Sequence, residues 1–131
     1  MAYEYVPREY GLFSAQLASL DPEVQLKVFE AIQNRLRYYP TSEKSPVYSK
    51  MLKPPLDCIR RIHVGRDYVI AYTVCEECRL IGCDEKLSCF YCFEEPAFRL
   101  KLISVGPRAT FYKELERNWY TWLNTRAGVS E

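Results

Sequence analysis

The spacing of hydrophobic and polar positions changes several times along the chain, and each change marks an element. Residues 3–7 (Tyr-Glu-Tyr-Val-Pro) alternate and stop at a proline, which predicts a short first strand. From Glu9 to Leu20 the period is helical, with Leu12, Phe13, Leu17 and Leu20 on one stripe. Asp21-Pro22-Glu23 then reads as a helix start: an N-cap acceptor, a proline in the first position, and an acid behind it. Val24, Val28, Phe29, Ile32 and Leu36 carry one apolar face to about Tyr38, where Pro40 stops it. The tight joint at Leu20–Asp21 makes the pair a helical hairpin.

Residues 40–55 hold Pro40, Pro46, Pro54 and Pro55 among serines and lysines, and read as a loop. A strand over Cys58–Val64, a turn at Gly65-Arg66-Asp67 and a strand over Tyr68–Val74 follow, rich in β-branched and aromatic residues. Beyond a cysteine-rich segment, Phe98–Val105 is a third apolar strand ending at Gly106-Pro107. A last amphipathic helix runs from about Thr110 to Leu123, with Leu115, Trp119, Trp122 and Leu123 on one side, and a loose tail follows Asn124. The order is β-α-α-β-β-(insertion)-β-α, an α+β arrangement. At 131 residues it fits a single domain over 1–131.

Composition narrows the class. An apolar share of 48% with 27% charged residues is that of a soluble globular protein. No apolar run nears the roughly 20 residues of a membrane span, and Met1 to Glu9 lacks a signal-peptide core. A cytoplasmic location is therefore expected, with no membrane partner. In that reducing compartment, clustered cysteines read as metal ligands before disulfides.

The cysteines are spaced Cys75-x2-Cys78 and Cys89-x2-Cys92, with Cys83 between them and Cys58 apart. Two residues between cysteines let both sulfurs reach one ion from a tight turn, and two such turns complete a tetrahedron. The spacing predicts a structural Zn²⁺ holding a hairpin insertion at 75–95, with disulfides or idle thiols as the bland alternative. Cys83 is a substitute ligand, and Cys58 is expected to pack in its strand. The insertion carries six acids against two bases, a net of −4, which leaves +5 on the rest of a chain whose total is +1. Four thiolates around one Zn²⁺ would add two more negative charges to the insertion. A basic body thus carries an acidic appendage, and a phosphate-binding surface belongs on the body.

Arg61-Ile62-His63-Val64-Gly65-Arg66-Asp67-Tyr68-Val69-Ile70-Ala71-Tyr72, taken with Leu102-Ile103-Ser104-Val105-Gly106-Pro107-Arg108 and Phe111-Tyr112, resembles the RelE/ParE superfamily of toxins from toxin–antitoxin pairs. The helical hairpin and the Leu52-Lys53-Pro54 approach fit that pattern too. The resemblance implies a RelE-like fold: a helical hairpin and a C-terminal helix packed on a small, mainly antiparallel sheet, here with the cysteine hairpin inserted. It also implies a ribosome-dependent mRNA endoribonuclease, in which the ribose 2′-OH attacks the adjacent phosphate without a metal ion, and a cognate antitoxin protein as partner. Such chemistry needs a base, cations for the phosphorane and an acid for the leaving oxygen.

On this resemblance, Arg108 matches the arginine after the last strand and Tyr112 the tyrosine that follows. These two with Arg61 and His63 are the expected catalytic residues, with Arg66, Lys53 and Lys50 as expected phosphate contacts. Arg61 and His63 occupy alternating positions that share one sheet face. Tyr112 is one of eleven tyrosines and His63 the single histidine, so each also has a packing role to weigh against. A phenol with an ordinary pKa of about 10 needs neighbouring cations to serve as a base. Lys50 and Lys53 are phosphate contacts or solvated loop residues. Val69 stands where the family often has an arginine, and Arg66 in the turn is its substitute. That departure keeps a second reading open, a ParE-like or degenerate member that binds a protein target and cuts nothing. A third, a zinc-ribbon module reading nucleic acid through its knob, conflicts with the knob's negative charge.

Overall fold

The structure, a computed structural model, describes residues 2–7, 12–54, 56, 58–81 and 98–126, with side chains in the last helix described as far as residue 118. Among the described residues, five strands form one sheet in the order β1-β5-β4-β3-β2. These are β1 (Glu4–Pro7), β2 (Lys50–Met51), β3 (Arg60–Val64), β4 (Tyr68–Val74) and β5 (Arg99–Pro107). The β2–β3–β4–β5 pairings are antiparallel, and β1 joins β5 in parallel from Glu4↔Arg99 to Pro7↔Leu102. The sheet is therefore mainly antiparallel, as expected. The two-residue β2 lies inside the stretch expected to be loop.

The helical hairpin is α1 (Phe13–Ala18) and α2 (Pro22–Ala31), the latter running on into a π turn over Ile32–Leu36. Asp21 holds the N-cap position in extended backbone, yet its side chain makes no cap hydrogen bond. Gln25 tightens the joint instead, donating from Nε2 to the Leu20 carbonyl at 2.9 Å. The expected apolar face is buried at Val28, Ile32 and Leu36, whereas Phe29 is exposed and lies off the core. These helices cover one face of the sheet, packing on Ile62, Val64, Ile70, Tyr72, Leu100, Leu102 and Val105.

The last helix, α4 (Arg108–Arg126), begins directly where β5 ends, two residues before its expected start. Its Phe111 and Leu115 bury the opposite face against Ile59, Val69, Ala71 and Ile103. The result is a sheet between two helical layers, because the central strands β4 and β5 are buried on both sides. None of the helices among the described residues is long and apolar enough to cross a membrane.

The first half of the cysteine segment differs from expectation. Cys75 and Cys78 do not form a tight turn; they lie on a helix, α3 (Cys75–Ile81), that continues straight from β4. Glu76 and Glu77 in its first turn and Arg79 in its last suit the helix dipole, which explains the local preference. The other two expected ligands, Cys89 and Cys92, and the expected substitute Cys83 lie outside the described residues. Cys58 lies ahead of β3 instead of within it, is buried in one cluster with Val69 and Cys78, and is disulfide-bonded.

A buried polar network ties α3 to the sheet. Arg60 points to the face opposite Arg61 and grips the Glu77 carboxylate, with Nη2 to Oε2 at 2.8 Å and Nε to Oε1 at 2.9 Å. Burial alone would lower the Arg60 pKa, but hydrogen bonding to Glu77 and its charge more than offset this and raise it. Beside it, Tyr72 donates to the Pro40 carbonyl and shares a hydrogen bond with Ser49, each at 2.5 Å. Burial first, with Glu77 adding, pushes the Tyr72 pKa up to about 12, so the phenol keeps its proton.

Candidate functional site

Strand alternation decides which basic residues reach solvent. In β3 the burial pattern places Arg60, Ile62 and Val64 inward and leaves Arg61 and His63 half-buried on the other face. The register pairs Arg61 with Ala71 and His63 with Val69, so both share a face with residues under α4. Val69 is fully buried, and that position offers no cation to the surface.

Next to α4, the β2 edge and the loop after it close a cleft of about 380 Å³. Its walls include Lys50, Lys53, Arg61, Tyr112 and Glu116, with Leu52 and Leu56 at its apolar side. Lys50 stands opposite Arg61 in the β2–β3 register, and this brings the two cations together. Tyr112 is 38% exposed while its neighbour Phe111 is buried, so its ring does not serve as core. Phe111 meets the Tyr112 ring edge-on at 5.4 Å between centroids and steadies it at the cleft wall.

A second concavity lies at the start of α4 and is lined by Arg66, Asp67, Pro107 and Arg108. The Arg108 amide donates to the Asp67 carbonyl at 2.7 Å, fastening the β3–β4 turn to the helix. A cation at a helix N-terminus opposes the dipole, and α4 has no acid in its first turn to compensate. Helix stability therefore does not explain Arg108. Arg108 and Tyr112 are one turn apart on α4 and share a side of it.

His63 lies electrostatically between the two concavities. Burial lowers its pKa first, and the charges of Arg61, Arg108 and Arg35 lower it further. It is thus the neutral imidazole near pH 7. Its Nδ1 is buried and makes no hydrogen bond among the described residues. Arg35 on the π turn donates to the carbonyls of His63, Pro46 and Val47 at 2.8–2.9 Å, and so pins the loop ahead of β2 to β3.

Of the residues expected from sequence, the structure gathers Lys50, Lys53, Arg61 and Tyr112 in one cleft and sets Arg66 and Arg108 in another; His63 lines neither and is linked to them through the charges of Arg61 and Arg108. Glu116 was not anticipated. It follows Tyr112 by four positions on a helix, so helical phase was the signal that places it on the same side.

No family model matches the chain, and no curated protein matches it in sequence. In three dimensions it is similar to a chain of the crystallised RelBE2 toxin–antitoxin complex of Mycobacterium tuberculosis, with a TM-score of 0.56 and 17% identity. The similarity covers 82% of this chain and all of that one. At that identity it establishes the fold.

Proposed function

We propose that the chain is the toxin of a toxin–antitoxin pair, an mRNA endoribonuclease that acts on the ribosome without a metal ion and is silenced by a cognate antitoxin protein. The observation that carries this reading is the meeting of Lys50, Lys53, Arg61 and Tyr112 on one cleft. The similarity to a chain of the RelBE2 complex supports the toxin role and the antitoxin partner. In the reaction the ribose 2′-oxygen bonds to phosphorus and the bond to the 5′-oxygen breaks, leaving a cyclic phosphate and a 5′-hydroxyl. Lys50, Lys53 and Arg61 supply positive charge where the phosphorane gains negative charge. The Glu116 carboxylate accepts the proton of the 2′-hydroxyl, and the Tyr112 hydroxyl gives a proton to the departing 5′-oxygen. Arg66 and Arg108 hold the flanking backbone phosphate.

We also propose that Cys75, Cys78, Cys89 and Cys92 bind a structural Zn²⁺. Cys75 and Cys78 are buried and three positions apart on α3, a spacing that brings both thiols to one side of the helix. Zinc there would lock α3 and the segment after it, and takes no part in cleavage.

The burial of Val69 favours a second reading, a non-catalytic member that binds a protein target. Mapping mRNA ends after brief induction separates the two. New internal 5′ ends support the nuclease; growth arrest with intact mRNA supports the binder.

A further inference from the structure

Tyr48 stands just outside the basic cleft in a conformation that tyrosine rarely adopts. Its φ is +52°, in the left-handed region, where a side chain is strained and glycine is favoured. Nothing in the packing rewards the ring for being there, since Tyr48 is 57% exposed.

The local structure shows how the strain is held. Val47 and Ser49, on either side, are 0% and 1% exposed and point inward. Arg35 holds the Pro46 and Val47 carbonyls, and the Ser49 amide donates to the Ser42 carbonyl at 2.8 Å. Two consecutive anchors leave the residue between them no direction but outward. Arg61, a wall of the cleft, donates from Nη1 to the Tyr48 carbonyl at 3.4 Å, and Lys50, another wall, follows two residues later. An outward-pointing aromatic ring on an anchored stretch of backbone therefore stands beside Lys50 and Arg61.

We infer that Tyr48 is a base-stacking residue, which takes the face of a nucleobase next to the phosphate held by Lys50, Lys53 and Arg61. Single-stranded RNA is bound by this combination, with cations tracking the backbone and an aromatic face under a base. Stacking on a ring whose backbone is already fixed loses less conformational freedom, which explains why a strained tyrosine stands where glycine would fit without cost. The inference rests on the nuclease reading and deepens it by naming a substrate contact.

The test compares the full-length protein with Tyr48→Phe and Tyr48→Gly in single-turnover cleavage of mRNA on programmed ribosomes, with thermal melts of each. The substrate is used intact and with abasic sites around the cut. Tyr48→Gly relieves the backbone strain, so its melting temperature should not fall below the wild type's. Its cleavage of intact mRNA under subsaturating conditions should drop on the order of tenfold, the size of one stacked base. Tyr48→Phe keeps the ring and should stay near wild type. On abasic mRNA, wild type and Tyr48→Gly should become equal. If Tyr48→Gly cleaves intact mRNA as fast as wild type, or loses equally on abasic mRNA, the stacking role is overturned while the nuclease reading stands. If the wild type leaves mRNA whole, both fall.

Discussion

The Arg60–Glu77 pair offers a sharp energetic test of how the cysteine-bearing helix is fixed to the sheet. The two side chains are 10% and 18% exposed, and the guanidinium reaches both carboxylate oxygens. Glu77→Leu leaves Arg60 buried in β3 without its counter-charge, a situation that costs about 3–5 kcal/mol. Because Glu77 retains some solvent contact, the lower end, about 3 kcal/mol, applies. With an unfolding entropy of roughly 2.1 cal/mol/K per residue, 131 residues turn that into a fall of roughly 10 °C in melting temperature. Arg60→Met removes the partner and strands the Glu77 charge at a similar cost. The double variant replaces a buried ion pair with apolar groups of similar size and should recover most of the loss, since such swaps are often close to neutral. Urea unfolding of the four proteins completes the cycle. Additive losses in the double variant, or a Glu77→Leu cost below about 1 kcal/mol, would mean that α3 is held by apolar contacts and that the pair is incidental.

Two further outcomes follow from the site and the cysteine segment. The His63 pKa is lowered in the fold, first by burial and then by Arg61, Arg108 and Arg35, so the unfolded chain binds the proton more readily. Its contribution is present above about pH 6.5 and is lost as pH falls through the lower folded value. Melts from pH 7.5 to pH 5 should show an acid-side loss that His63→Gln lacks; equal slopes would refute the depressed pKa. Protein made with zinc should carry about one ion per chain, and Cys78→Ser should lower that content and loosen α3 while the β-sheet signal persists. Zinc-free protein with α3 intact would remove the metal site.

Much of this arrangement was legible in the sequence. β-branched and aromatic content marked strands over Cys58–Val64 and Tyr68–Val74 with the turn between them, although β3 itself begins at Arg60; a period of two then put Arg61 and His63 on one face. The helical hairpin was equally plain from Asp21-Pro22 and the Val28–Leu36 stripe. The two residues of β2 were hidden because Lys50 and Met51 gain strand geometry only by pairing with Arg61 and Arg60. Helix α3 is hidden for another reason: the Cys-x2-Cys spacing suits a metal-binding turn as well as a helix, and only the acids Glu76 and Glu77 in the first turn favour the helix. Chain order could not show that Lys50 and Tyr112 share a cleft, since β2 and α4 meet only through tertiary packing. The exposure of Tyr48 was also invisible, as it depends on burial of both neighbours.

The central claim is that the cleft of Lys50, Lys53, Arg61 and Tyr112 performs phosphoryl chemistry on mRNA. The most direct measurement is single-turnover cleavage on programmed ribosomes by the wild type and by Arg61→Ala, Tyr112→Phe and Arg108→Ala, with ribosome binding measured alongside. If Arg61 stabilises charge that develops in the transition state, as proposed, Arg61→Ala should slow cleavage on the order of 10²-fold with binding little changed. Tyr112→Phe keeps the ring and loses only the hydroxyl, so a comparable loss assigns proton transfer to it. Arg108→Ala, which alters the neighbouring concavity, should cost less than Arg61→Ala. A wild-type protein that arrests growth but leaves mRNA whole, or an Arg61→Ala variant that cleaves at the wild-type rate, would contradict the account.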